Sequence, residues 1–117
     1  MPVILVLDDD VATRDALVET LRRLFPRARV VAAPAETAPE IVARERASLV
    51  LASLPAAERL CRNGALQGVR VVALTREMSP DTLLRAEALG VAAALRVPAG
   101  TDQLSVVLGP MLGASAR

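Results

Sequence analysis

The chain alternates two kinds of segment. Val3-Ile4-Leu5-Val6-Leu7 is an unbroken, β-branched-rich apolar run, the pattern of a strand buried on both faces. It stops at Asp8-Asp9-Asp10. From Ala12 the period changes. Leu17, Leu21 and Leu24 recur at i, i+4 and i+7, with Arg14, Asp15, Glu19, Arg22 and Arg23 off that stripe. This predicts an amphipathic helix over 12–24, closed by Pro26. Residues 30–33 read as a second, weaker strand. A helix is predicted over 38–46, with Pro39 in its first turn. Leu49-Val50-Leu51 opens a third strand, stopped near Pro55. A short helix over 57–62 then ends at Asn63-Gly64.

The second half repeats the rhythm. Residues 69–75 form the fourth strand. Ser79-Pro80-Asp81 is a strong helix start: a cap, a proline at the first helical position and an acid at the positive dipole end. That helix runs to Leu89 and Gly90 terminates it. Residues 92–97 form the fifth strand, ending at Pro98. Thr101-Asp102 caps a last helix through Leu104, Val107 and Leu108. Gly109-Pro110 is expected to interrupt it, because proline lacks an N–H and clashes with the preceding turn. A shorter or kinked final helix follows. Residues 113–117 are expected to be a frayed end or the start of a linker.

Five strands alternating with five helices predict a (βα)5 unit, an α/β doubly wound parallel sheet covered by helices on both faces. One such domain spans 1–117. Sites in these sheets lie at the carboxyl ends of the strands. The segments of interest are therefore 8–10, 53–55, 75–77 and 96–98.

Composition narrows the chemistry. Hydrophobic residues are 53% of the 117, enough for a core without disulfides or a metal. All 14 basic residues are arginine; there is no Lys, His, Trp or Tyr, and Phe25 is the one aromatic. Mechanisms that need a His base, a His metal ligand, a Schiff-base Lys or a P-loop Lys are excluded. So are aromatic platforms for single-stranded nucleic acid. Cys61 alone makes no internal disulfide and no Cys-rich zinc site, and reads as a small hydrophobe. The net charge of +1 implies no whole-chain attraction to nucleic acid or membrane. No segment has the length of a membrane span, and the start lacks a signal peptide's basic region. A cytoplasmic protein is the expectation.

Three aspartates at a strand end are not needed for packing. They can be a helix cap and two solvated loop residues, or hard oxygen ligands for a divalent cation. Here the chain resembles the receiver domain of two-component response regulators, over essentially its full length. The resemblance is carried by Ile4-Leu5-Val6-Leu7-Asp8-Asp9-Asp10, Leu49-Val50-Leu51 and Val71-Val72-Ala73-Leu74-Thr75. Ala86-Glu87-Ala88-Leu89-Gly90-Val91, followed by Leu95 and Pro98, completes it. It implies a CheY-like, flavodoxin-like three-layer sandwich. In that family an acidic pair binds Mg2+ and an Asp ending strand three accepts a phosphoryl group. A strand-four hydroxyl follows the phosphate, a strand-five Lys before a Pro contacts it, and a strand-five aromatic swings with the switch.

The carry-over is partial. Asp8 and Asp9 match the acidic pair and Thr75 the switch hydroxyl. The acceptor position falls on Ser53, the Lys position on Val97 beside Pro98, and the aromatic position on Ala94. Pro55 comes about two residues earlier than the family's proline, so this loop looks shortened. The losses fit one another. Without the acceptor Asp one negative charge disappears, and a lysine has less to neutralise.

The resemblance therefore implies a degenerate receiver (a pseudo-receiver) in a two-component phosphorelay: non-enzymatic, held in one conformation, acting by protein–protein contact. No cofactor is required. Asp8, Asp9 and a carbonyl near Leu54 or Pro55 would hold Mg2+ weakly. The partner surface is the face of the fourth helix, fifth strand and fifth helix, carrying Leu83, Arg85 and Arg96, and a homodimer there is one expectation. Direct nucleic-acid binding is not expected, since the 13 acids nearly balance the arginines. One alternative is an active receiver using Ser53 or a neighbouring Asp. Another is a haloacid-dehalogenase-like phosphatase with Asp8 as nucleophile, Asp10 as acid/base and Thr75 holding phosphate. That pattern wants Thr or Val at Ala12, and a Lys, and the chain has neither.

Overall fold

Apolar runs three to six residues long become strands here because both of their faces are covered. The computed structural model describes residues 2–37, 40–62 and 68–113. In chain order it contains β1 (Val3–Leu7), α1 (Val11–Leu24), β2 (Arg29–Ala33), a 3-10 turn (Ala35–Thr37), α2 (Glu40–Glu45) and β3 (Leu49–Ser53). Then come α3 (Leu54–Arg62), β4 (Arg70–Thr75), α4 (Pro80–Ala88), β5 (Ala93–Arg96) and α5 (Thr101–Leu112). The five strands make one parallel sheet in the order β2-β1-β3-β4-β5. The order reverses between β1 and β3, so the site opens there, at the strands' carboxyl ends.

The period of two in the strands builds two cores at once. Ile4, Val6, Leu49, Leu51, Val72, Leu74 and Leu95 face one way, onto Leu17, Leu21 and Phe25 after α1 and Leu104 and Leu108 of α5. Leu5, Leu7, Val50, Ala52 and Val71 face the other way, onto Ile41 and Val42 of α2 and Ala56, Ala57 and Leu60 of α3. Leu54, Ala73 and Ala86 form a smaller cluster that seats α4. This is the predicted α/β three-layer sandwich.

Several boundaries differ from the sequence pattern. The strand stretches 69–75 and 92–97 are shorter in the structure, and β2 starts one residue earlier, at Arg29. The helix expected over 38–46 is only Glu40–Glu45, preceded by the 3-10 turn. Pro39, the Asn63-Gly64 stop and residues 114–117 of the tail lie outside the described residues. Pro55 does not stop the third strand before a loop. β3 runs into α3 with nothing between them, and Pro55 sits in the first turn, where its missing N–H costs no helical bond. The N-cap of α5 is Gly100, with Thr101 and Asp102 its first helical residues.

The largest correction is α5, which continues through Gly109 and Pro110 to Leu112. A proline inside a helix costs about 3 kcal/mol. Leu104 and Leu108 are fully buried and Leu112 nearly so, and each buried leucine contributes about 1.5–3 kcal/mol. Packing outweighs the proline. Val106, whose carbonyl loses its partner, is 74% exposed and Pro110 is exposed, so water can reach the orphaned group.

Candidate functional site

The carboxyl ends of β1, β3 and β4 surround an open cavity of about 380 Å³. Its walls include Asp8, Ser53, Leu54, Pro55, Thr75, Arg76, Glu77, Thr82, Arg85 and Val97. The structure thus brings together Asp8, Ser53, Thr75 and Val97 from the sequence reading. Asp9 and Ala94 do not line it.

Each aspartate has a structural task. Asp8 is half-buried; its Oδ1 accepts the Asp10 N–H at 2.9 Å, and its carbonyl accepts from Arg14 at 3.1 Å. Asp9 Oδ1 accepts the Ala35 N–H at 2.9 Å, tying the loop after β1 to the turn after β2. Asp10 is the N-cap of α1. Its Oδ1 accepts the N–H groups of Ala12 and Thr13 at 3.0 and 3.2 Å. Its Oδ2 is paired with Arg76, which also donates to Thr13 Oγ1 at 2.8 Å. The Thr13 N–H, with Arg76 and the Ala12 N–H, holds the Asp10 carboxyl below its ordinary pKa against an opposing desolvation.

The remaining positions are equally committed. Ser53 ends β3, and its Oγ accepts the Ala56 N–H at 3.4 Å, a cap on the helix that follows at once. Thr75 Oγ1 donates to the Glu77 carbonyl at 2.8 Å and accepts the Glu77 N–H at 3.1 Å, closing a local turn. Val97 follows β5, is 4% exposed and packs in the α1–α5 core. Its N–H donates to the Thr75 carbonyl at 2.8 Å. Ala94 is half-buried against the Leu54–Ala73–Ala86 cluster.

Two arginines at the cavity were missed as site residues. Arg76 follows the strand-end Thr75, where a long side chain can reach over the sheet. Arg85 was expected on the α4–β5–α5 face, but it turns toward α3 and pairs with Glu58. Only the three-dimensional placement of Glu58 distinguishes the two orientations.

The residues present do not fit a tight Mg2+ site. Asp8 and Asp9 each give one oxygen to a backbone N–H. Leu54 and Pro55, expected to offer a carbonyl ligand, lie in the first turn of α3, where carbonyls point to the amides four residues on. Among the described residues no group of three His, Cys, Asp or Glu is placed to hold a metal.

No protein-family model and no curated protein matches the chain. Solved structures do. The signal receiver domain of the DNA-binding response regulator merR from Colwellia psychrerythraea 34H aligns with a TM-score of 0.83 and 21% identity, covering 96% of this chain and 98% of that one. The chemotaxis protein CheY4 of Vibrio cholerae gives 0.81 and 18%, covering 95% and 98%. A pilus assembly-related protein from Burkholderia pseudomallei K96243, BPSS2195, gives 0.76 and 25%, covering 100% and 92%. The fold is the receiver fold. Within that fold, Ser53 stands at the end of the third strand and Val97 directly before Pro98, after the fifth. No helix among the described residues is long and apolar enough to cross a membrane.

Proposed function

We propose that the chain is a receiver-like signalling module of a two-component system that works by protein–protein contact, without phosphoryl transfer or catalysis. One observation carries this. The residue at the acceptor position, Ser53, is not a carboxylate and uses its hydroxyl to cap α3. A serine nucleophile needs a neighbouring base to activate it, and the chain has no histidine or lysine. The buried Val97 and the Arg76–Asp10 pair support the same reading. Mg2+ binds weakly at most. The partner contact uses the α4–β5–α5 face, where Leu83 and Val106 are exposed, for a second copy or another protein.

The test is incubation with acetyl phosphate and Mg2+, followed by intact mass measurement. The expected result is an unmodified chain. A gain of about 80 Da, the mass of a phosphoryl group, lost in Asp9→Ala, would instead establish an active receiver.

A second setting is favoured by the identities. The pilus assembly-related neighbour shares 25% of aligned residues, against 21% and 18% for the two response-regulator structures. In that setting the module serves a pilus-assembly apparatus. Loss of surface pili on deletion of the gene, restored by the wild-type chain, distinguishes it from a transcriptional or chemotactic output.

A further inference from the structure

The near-zero net charge hides a separation of charge along the strand axis. In a parallel sheet with antiparallel helices, every strand start and every helix end lie at one pole. At that pole α1 ends in Arg22 and Arg23, and the turn after it adds Arg27. α2 ends in Arg44, with Arg46 just beyond, and α3 ends in Arg62. Arg29 and Arg70 open β2 and β4. All eight are exposed. Among the described residues Glu45 and Glu87 oppose them at this pole, and Glu58 pairs with Arg62.

The opposite pole is acidic. Asp8, Asp9 and Asp10 follow β1, Glu36 and Glu40 open the α2 region, and Glu77 and Asp81 lie at the start of α4. Asp102 is in the first turn of α5. Of the arginines here, Arg14 bonds the Asp8 carbonyl, Arg59 bonds the Glu36 carbonyl, Arg76 is paired with Asp10 and Arg85 with Glu58, and Arg96 stands at the end of β5.

Helix dipoles favour acids at helix starts and bases at helix ends, which accounts for Asp81, Asp102, Arg22 and Arg23. They do not account for Arg27, Arg29, Arg46 and Arg70, which lie outside helices. Internal pairing accounts for some of them, Arg29 and Arg44 with Glu45 and Arg62 with Glu58, but Arg23, Arg27 and Arg46 make no ion pair among the described residues.

We infer that the arginine-rich pole docks the acidic pole of a second copy of this chain, giving head-to-tail association. The charge complementarity is built into one molecule, and a net charge of +1 leaves little overall repulsion between copies. Such a contact is heterologous, so copies add in rows rather than closing as a two-fold dimer. Asp8 and Glu77 of the acidic pole also line the strand-end cavity, but the contact needs only their charge and its readout is association, so it stands or falls separately from the proposed loss of phosphoryl transfer.

Sedimentation velocity over a range of concentrations tests it. It is run at about 0.01 M salt, where charges act over about 30 Å, and at about 1 M, where they act over about 3 Å. Association is expected in the first and a monomer in the second. Arg23→Gln/Arg27→Gln/Arg46→Gln weakens one pole by removing its unpaired cations and Glu36→Gln/Asp81→Asn/Asp102→Asn weakens the other. Each variant alone should be monomeric at low salt. An equimolar mixture should form a species of two copies, because each supplies the pole the other lacks. A wild type monomeric at low salt overturns the proposal, as does association that survives in either variant or a mixture that stays monomeric. A wild-type monomer that binds duplex DNA through the arginine pole would assign that pole to nucleic acid and also overturn it.

Discussion

Arg76, one residue past β4, is ion-paired with Asp10, the cap of α1, across the end of the intervening β3. The same guanidinium nitrogen donates to Thr13 Oγ1. One side chain therefore ties the loop before α4 to the start of α1, above the position of Ser53. The Arg76 guanidinium is committed to these two partners.

The pair has an acid signature. The Asp10 carboxyl lies below its ordinary value in the folded chain, chiefly through the Thr13 N–H and then Arg76. A lowered folded pKa contributes stability that is present above the unfolded value, about 3.9, and is lost as pH falls through the folded one. Asp10→Asn keeps a capping side chain but removes the charge. Its urea midpoint, followed from neutral pH into the acid range, should approach that of the wild type as pH falls below the ordinary Asp value. Parallel acid limbs for the two proteins would show that Asp10 contributes nothing through its charge.

Ser53→Ala should lower stability by about 1 kcal/mol, the usual cost of losing an N-cap, read from chemical denaturation. Acetyl phosphate should leave its mass unchanged, as in the wild type. A Ser53→Ala chain as stable as the wild type would mean that the Ala56 N–H is satisfied by water and the hydroxyl is free for another use.

Much of this fold is legible in the order of its segments. The five apolar runs are the five strands, and the Ser79-Pro80-Asp81 signal is an N-cap with proline at the first helical position. Asp8, Ser53, Thr75 and Val97 converge because strand-end position alone places them there. What was not legible depended on competition between local and distant terms. Pro55 and Pro110 both read as breakers. The first is harmless because it falls in a helix's first turn, the second because three buried leucines hold α5 together. Arg76 and Arg85 are ambiguous in sequence because their reach exceeds the spacing between strands. Their partners, Asp10 and Glu58, are 66 and 27 residues away.

Cys61 should be a slow nucleophile. Partial burial, and then the Glu58 carboxylate, push its thiol above the ordinary value, and Sγ lies 3.3 Å from the Leu89 carbonyl. Since the thiolate is the reactive form, alkylation by iodoacetamide at neutral pH should be slower than that of glutathione. Glu58→Gln should accelerate it by removing the nearby negative charge. Equal rates for Cys61 and glutathione would show that neither burial nor Glu58 restrains it.

Pro110→Ala should stabilise the chain. In α5 the proline removes the N–H that would bond the Val106 carbonyl, and its ring crowds that carbonyl, a cost of about 3 kcal/mol. Against this, proline restricts the unfolded chain, worth up to about 1 kcal/mol that alanine gives back. Pro110 is exposed, so its ring contributes no core packing that alanine would lose. The net expectation is a gain of about 2 kcal/mol, seen as a higher urea midpoint with an unchanged slope. Leu108→Ala, at a fully buried position on the same helix, should cost about 2–5 kcal/mol. Opposite signs at two sites in one helix would show that α5 persists by burying its leucines while its local backbone preference opposes it. A loss of stability in Pro110→Ala would place the proline on the favourable side.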